Sequence, residues 1–246
     1  MIKQILIGIK AYTDSFGIIS RLRLWKFFVI PILISLATAL LIGLSAYTWS
    51  DNITDYIISL FPGWEPPAWL RTLEIFFFGA IIILLGLILY KHIVMALSAP
   101  FMSPVSEKIE AHFHGQLHST HRNSNFTQQL WRGIRINLRN LLKEVFFSIP
   151  ILLLGLVPVV GVLSGGLLFL IQAYYAGFGN MDYTLERHFD YKESVKFVGR
   201  RKGLAIGNGI VFMLLLLIPV VGIILVLPLS VVSATKITLE ELKLNP

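Results

Sequence analysis

The chain has no cysteine, which excludes a disulfide framework and any metal site built on thiolates. Charge is scarce too: 14% of residues are Asp, Glu, Lys or Arg, against 55% hydrophobic, and the mean hydropathy is +0.74. A soluble domain of 246 residues needs a more polar surface than this. The sequence has no Gly-rich phosphate loop ending in Lys-Ser/Thr, no nucleophile elbow around serine and no metalloprotease helix. We therefore expect no enzyme, no cofactor and no resident metal. Acidic residues are the rarer sign, 14 against 21 Lys and Arg. The bases flank apolar runs instead of forming one soluble basic face, so nucleic acid is a poor partner.

What the chain does contain is long stretches without any charge. Phe27–Ser50 has 24 such residues, Val145–Met181 has 37 and Gly203–Thr235 has 33. Runs above roughly 18 residues are candidates to cross a bilayer. The chain reads as an all-α, multi-pass membrane protein. At the start, Ile2, Ile5, Leu6, Ile9, Tyr12 and Phe16 recur at helical spacing, which predicts an amphipathic helix retained in the mature protein.

Charge placement orients the segments. Five bases precede the first run (Lys3, Lys10, Arg21, Arg23, Lys26), whereas 50–74 holds only Arg71 among Asp51, Asp55, Glu65 and Glu74. Seven bases lie from Lys91 to Lys143, six from Arg187 to Lys202, and two follow Thr235. The positive-inside bias puts every basic segment on the cytoplasmic side and only 50–74 outside. Spanning helices are expected at 27–49 and 69–90.

The two remaining runs carry "VPVVG" at 157–161 and "IPVVG" at 218–222. A single crossing by each would place the bases of 182–202 outside, and a double crossing needs about 40 residues plus a turn. Entry and exit on the same face satisfies both constraints. The expectation is two re-entrant helical hairpins, 145–181 and 203–235, within one integral membrane domain covering 1–246. Turning backbone at that depth requires protein or a wet cavity around it, and the half-helix N-termini favour an anion. Such hairpins serve either as walls of a conduit or as packing wedges. The small-xxx-small pairs Gly161–Gly165 and Gly203–Gly207 point to close helix packing.

Between these runs, "SAPFMSPVSEKIE" should bend at Pro100 and restart as a helix at Pro104, with Ser103, Ser106 and Glu107 resembling a cap. A cytoplasmic-side amphipathic helix follows, with Leu130, Ile134, Leu138, Leu141, Leu142 and Val145 on one face and Arg132, Arg135, Arg139 and Lys143 on the other. That basic stripe suits anionic lipid or a vestibule that concentrates anions. His112, His114, His118 and His121 cluster around the polar loop "GQLHSTHRNSN", which has no fixed register and completes no metal motif. The stretch 177–202 mixes Asp182, Glu186, Arg187, His188, Arg200 and Arg201 where two half-helices emerge. Exposed, these charges form solvated pairs; facing a pore, they form a gate.

Several of these pieces together resemble the CysZ sulfate permease family, whose wider grouping includes the etoposide-induced-protein-like membrane proteins. The resemblance rests on "SAPFMSPVSEKIE" (98–110), "DYTLERH" (182–188), "RRK" (200–202) and the two proline–glycine hairpins in the same order. It implies sulfate uptake, independent of ion gradients or proton-assisted, in a bacterial inner membrane. It also implies two full spans with two partly penetrating hairpins, and homo-oligomeric assembly. A sulfate site near a Gly-Leu/Ile-Arg-Arg segment before the first span is implied as well. Here those positions read Arg23-Leu24-Trp25-Lys26: Arg23 replaces the glycine, and Trp25-Lys26 replaces the arginine pair. The resulting assignment is Arg21, Arg23 and Lys26 for sulfate or a similar oxyanion, with Glu107, Asp182, Glu186, Arg200 and Arg201 as the charged network. Membrane lipids are the other expected partners. The alternative is a non-transporting membrane scaffold that binds lipids or partner proteins.

Overall fold

The computed structural model describes all residues except 62, 64, 115–123, 156–157, 219–220 and 245–246. The described residues are almost wholly helical. Nine helices follow one another among them: α1 (Ile2–Lys10), α2 (Ser15–Arg21), α3 (Trp25–Ser59), α4 (Ala68–His114), α5 (Phe126–Gly155), α6 (Pro158–His188), α7 (Tyr191–Arg200), α8 (Lys202–Leu216) and α9 (Val221–Leu244). Three stretches are long and apolar enough to cross a membrane: Trp25–Ser59, Ala68–Phe113 and Gly161–His188.

Two compact units divide the chain. One is Ser35–Lys91 and the other comprises Met1–Ile34 with His92–Pro246. Ser35–Lys91 is an antiparallel helix pair. A Cβ on Gly86 would press on Ile42, one on Gly79 would reach Ser50, and Arg71 Nη2 lies 2.7 Å from Asp55 Oδ1. Each pair sums to nearly the same residue total, as two helices folded back on one turn must. Leu40, Leu41, Leu44, Phe76 and Phe77 are all more than half exposed, as expected of helices whose surroundings are apolar.

The larger unit holds two more antiparallel pairs. Along α5 and α6, Arg132 meets Asp182, Arg139 faces Phe178 and Gly155 sits by Ser164. Along α8 and α9, Arg201 meets Glu241, Asn208 bonds Ser230 O, and Gly222 abuts Leu215. α6 then packs on α8. A Cβ on Gly177 would collide with Ala205 O, and one on Gly209 with Ala173 O, so only glycine permits this backbone-to-backbone approach. Gly203 and Gly207 give α1 the same seat, against Gln4 and Ile5 O respectively. Gly161 lies against Gly155 O, whereas Gly165 is open on its Cβ side.

α5 packs with its polar side inward. Its buried residues are Gly133, Ile136, Asn137, Asn140 and Glu144, while Leu138, Leu142 and Val145 are exposed. In an apolar surrounding the scarce resource is a partner for polar groups, so polar side chains turn toward neighbouring helices. α1 behaves similarly: its packed residue is Gly8, and Ile2 and Leu6 are exposed.

The expected break near Pro100 does not occur, since α4 continues through both Pro100 and Pro104. Each proline removes a helix donor, to Ala96 O and Pro100 O respectively; separately, side chains from α6 bond other carbonyls of this stretch. Tyr183 Oη donates to Met95 O at 2.7 Å, and Arg187 Nη1 donates to Ser103 O at 3.2 Å. His118 and His121 lie outside the described residues.

Candidate functional site

Two ion-pair groups lie where α4, α5 and α6 meet. In the first, Arg132 grips Asp182 with two parallel bonds, Nε to Oδ2 at 3.0 Å and Nη2 to Oδ1 at 2.9 Å. The same guanidinium donates to Phe189 O at 2.8 Å and Ser194 Oγ at 2.7 Å. The two side chains are only 13% and 7% exposed, so the pair is held away from water by a full set of partners. Burial opposes the charged guanidinium, but the attraction of Asp182, with Glu186 and Asp190 beyond it, prevails and raises its pKa.

Glu186 lies one turn along α6 and is buried. Its Oε1 has no hydrogen-bond partner among the described residues. It lines a cleft of about 230 Å³ together with Arg132, Arg135, Trp131 and Tyr191. Arg135 stacks 4.1 Å from the Tyr191 ring centre, which fixes one wall. The cleft therefore sets the Arg135 cation and the Asp182-paired Arg132 around one buried carboxyl with spare acceptor capacity.

The second group centres on Arg187. Its Nη2 donates to Glu110 Oε2 and to Ser106 Oγ, both at 2.8 Å, and its Nη1 donates to Ser103 O and Tyr183 O. His188 Nε2 stands 3.0 Å from Glu110 Oε1. A hydroxyl chain continues from here, with Ser106 Oγ 2.8 Å from Thr184 Oγ1 and Thr184 Oγ1 donating to Thr235 Oγ1 at 3.1 Å. α4, α6 and α9 are thus tied by one buried polar thread. Nearby, Asn208 bonds Asn180, Ser230 O and Ser233, and Tyr12 Oη reaches both Asn208 O and Ser230 Oγ.

The predicted residues divide between these places. Asp182 and Glu186 come together around Arg132. Arg201 is apart from them, 2.6 Å from Glu241 Oε2 and stacked 4.1 Å over Phe197. Arg200 and Glu107 are exposed, and the acid that α4 supplies to the buried network is Glu110. Arg132, Arg187, Glu110 and Ser106 carry most of the network's bonds. Arg132 gives no sign of this in the sequence, because its spacing matches that of the exposed basic stripe. A weak signal was available for Glu110: it stands on the buried face one turn beyond Ser106, at the end of the 98–110 segment.

Ahead of the first long helix, Arg21 ends α2 and lines a cleft of about 400 Å³ with Lys236, His112 and Asp14. Lys236 Nζ is 3.0 Å from Asp14 Oδ2. Arg23 is the sole non-glycine residue with positive φ, at 51°, among the described residues. It occupies the left-handed position that closes a helix. Arg23 N donates to Ser20 O at 3.2 Å and Leu24 N to Ile19 O at 2.9 Å, while Ile19 and Leu24 are fully buried behind the turn. Lys26 is exposed, with Nζ 5.4 Å from the Phe27 ring centre.

Long apolar helices, glycine-seated hairpins and buried charges at their bases define an integral membrane protein with polar clefts among its helices. The family described as Sulfate transporter CysZ/Etoposide-induced protein 2.4 matches residues 11–226, and the chain belongs to that family. Proteins named Sulfate transporter CysZ from two strains of Pseudomonas aeruginosa and one of Pseudomonas paraeruginosa are 26% identical to it over 241 residues. The matches cover 93% of this chain and 92% of each relative.

Proposed function

We propose that this protein moves sulfate or a closely similar oxyanion across the inner membrane of a bacterium. The observation that carries this reading is membership of the sulfate transporter family over most of the chain, together with full-length relatives that bear that name. The chemistry of the clefts is consistent with it. Arg21 beside the first long helix, and Arg135 at the base of the α5–α6 pair, are cationic side chains on open clefts where a hydrated oxyanion would concentrate. In this reading Arg21, Arg23 and Lys26 attract the anion, and the Arg132–Asp182 and Arg187–Glu110 groups hold the hairpin bases in register. Glu186, buried beside Arg132, then acts as a gate residue whose carboxyl meets the passing charge.

The topology proposed is 27–49 and 69–90 as spans, with 145–181 and 203–235 as re-entrant hairpins, all in one integral membrane domain. Lengths support it. α8 has 15 residues and reaches about 22 Å, short of the roughly 30 Å hydrocarbon core. From Glu144 to the end of α5 at Gly155 is about 17 Å of helix. α6 is longer, but the part beside Asn137, Asn140 and Arg132 carries Asn180, Asp182 and Glu186, which favours a place at the membrane surface. Assembly into a homo-oligomer completes the proposal.

The scaffold alternative is not favoured, because Arg132 of its basic helix is taken up by Asp182 and by α7. Sulfate uptake into proteoliposomes loaded with the purified protein is the direct test. The expected result is flux well above empty vesicles, saturable and reduced by Arg21→Gln. Flux equal to that of empty vesicles, from protein with an intact helical spectrum, would overturn the proposal.

A further inference from the structure

Arg139 and Lys143 stand one turn apart on α5, just before the charge-free run that begins at Val145, and Lys202 opens α8 just before the run that begins at Gly203. The three line one groove of about 360 Å³, with no carboxylate among the described residues that line it. Below the cations the groove is apolar, walled by Phe147, Leu167 and Leu170, which are 46%, 52% and 39% exposed. Arg139 is preset: its Nη1 donates to Asn140 Oδ1 at 2.8 Å, and its guanidinium rests 5.0 Å from the Phe178 ring centre. Lys143 and Lys202 are exposed.

We propose that this groove binds an anionic phospholipid, the phosphodiester on Arg139, Lys143 and Lys202 and an acyl chain along Phe147, Leu167 and Leu170. The height of the cations fits, since all three flank the ends of apolar runs, where lipid phosphates sit. A free oxyanion would meet the cations alone, whereas a phospholipid meets both the cationic and the apolar half of the groove. The lipid would also join α5 and α6 to the first turn of α8, bridging the two hairpins at their bases. The inference does not depend on which solute the protein carries.

Purified full-length protein in neutral detergent, titrated with dioleoylphosphatidylglycerol or dioleoylphosphatidylcholine and read by native mass spectrometry, tests it. Each base near an anionic headgroup strengthens binding about fivefold. Wild type should therefore retain the glycerol lipid over the choline lipid, and Lys143→Gln/Lys202→Gln should weaken that retention tenfold or more. Arg139 is left in place because its stacking on Phe178 gives it a packing role. The charge-matched control Lys192→Gln/Lys196→Gln, at two exposed positions on α7, should change retention by less than twofold, with melting temperatures of both variants near wild type. Equal retention of the two lipids, or unchanged retention in the Lys143/Lys202 variant, would overturn the proposal. So would inorganic phosphate binding that needs Lys143 and Lys202 while the glycerol lipid does not, since the groove would then serve a free oxyanion.

Discussion

Replacing Arg23 with glycine separates a backbone property from a charge. Arg23 holds φ at 51° so that the chain can turn from α2 into α3, and the turn is closed by the bonds from Arg23 N to Ser20 O and Leu24 N to Ile19 O. For a residue with a Cβ this conformation costs about 1–2 kcal/mol. Glycine avoids that cost but brings about 0.5–1 kcal/mol of extra chain entropy to the unfolded state. The net expectation for Arg23→Gly is a gain of about 0.5–1 kcal/mol, and at this chain length about 1–4 °C in midpoint. Thermal unfolding of detergent-purified protein, followed by near-ultraviolet circular dichroism at one fixed scan rate, reads this even where unfolding is irreversible. Arg23→Gln is the partner variant, because it removes the same charge and keeps the strained φ. It should not raise the midpoint. Sulfate binding by calorimetry then divides the roles: Gln should weaken binding by a few fold, and Gly should recover part of that loss if backbone N–H groups at the turn meet the anion. A midpoint that falls in Arg23→Gly, or rises equally in Arg23→Gln, would refute the strain argument.

Asp182→Asn removes one side of a buried bidentate pair and leaves Arg132 charged in a site with little water. A loss of about 3–5 kcal/mol follows, seen as a sharply lower melting temperature, and Arg132→Met/Asp182→Leu should recover much of it. Glu110→Gln should act in the same direction on Arg187, measured in the same way. Gly207→Ala would drive a Cβ into Ile5 O, so α1 should detach and limited proteolysis should cut between residues 1 and 14 faster than in wild type. The raised pKa of Arg132 carries a definite sign. Its contribution is complete below the usual arginine value and is lost only as pH rises through the higher folded value, so it should be flat between pH 6 and 9. A stability curve in which Arg132→Gln removes a pH dependence inside that window would contradict it.

Helices and their pairing were largely legible in the sequence, because they follow from runs without charge and from where the bases fall. The same count that marks 50–74 as the one acidic segment also marks the turn between α3 and α4. Gly203 and Gly207 were legible as contact points from their spacing, and each brings a neighbouring backbone close, whereas Gly209, which meets Ala173 O, was not marked by that pattern. The rule that apolar faces turn inward, which holds for soluble domains, does not apply to α5. Leu138, Leu142 and Val145 mark one face of α5 unmistakably, yet it is the exposed face, and Asn137, Asn140 and Glu144 pack inside. Without water outside, burying leucine gains little, and leaving an amide without a partner costs several kcal/mol.

The same inversion explains which site residues could be read and which could not. Arg132, Arg135, Arg139 and Lys143 look like one stripe at three- and four-residue spacing, but spacing says only that they share a helix face. Their fates are set by what that face meets: Asp182 for Arg132, the Tyr191 ring for Arg135, Phe178 and Asn140 for Arg139, and an open groove for Lys143. Asp182, Phe178 and Tyr191 lie 39 to 56 residues from the bases they meet, beyond the reach of any local pattern. Arg23 is the opposite case. The resemblance implies a glycine at this position, and the left-handed φ is a conformation that glycine adopts without strain. The turn therefore persists without its preferred residue because Ile19 and Leu24, fully buried behind it, hold the chain in that conformation.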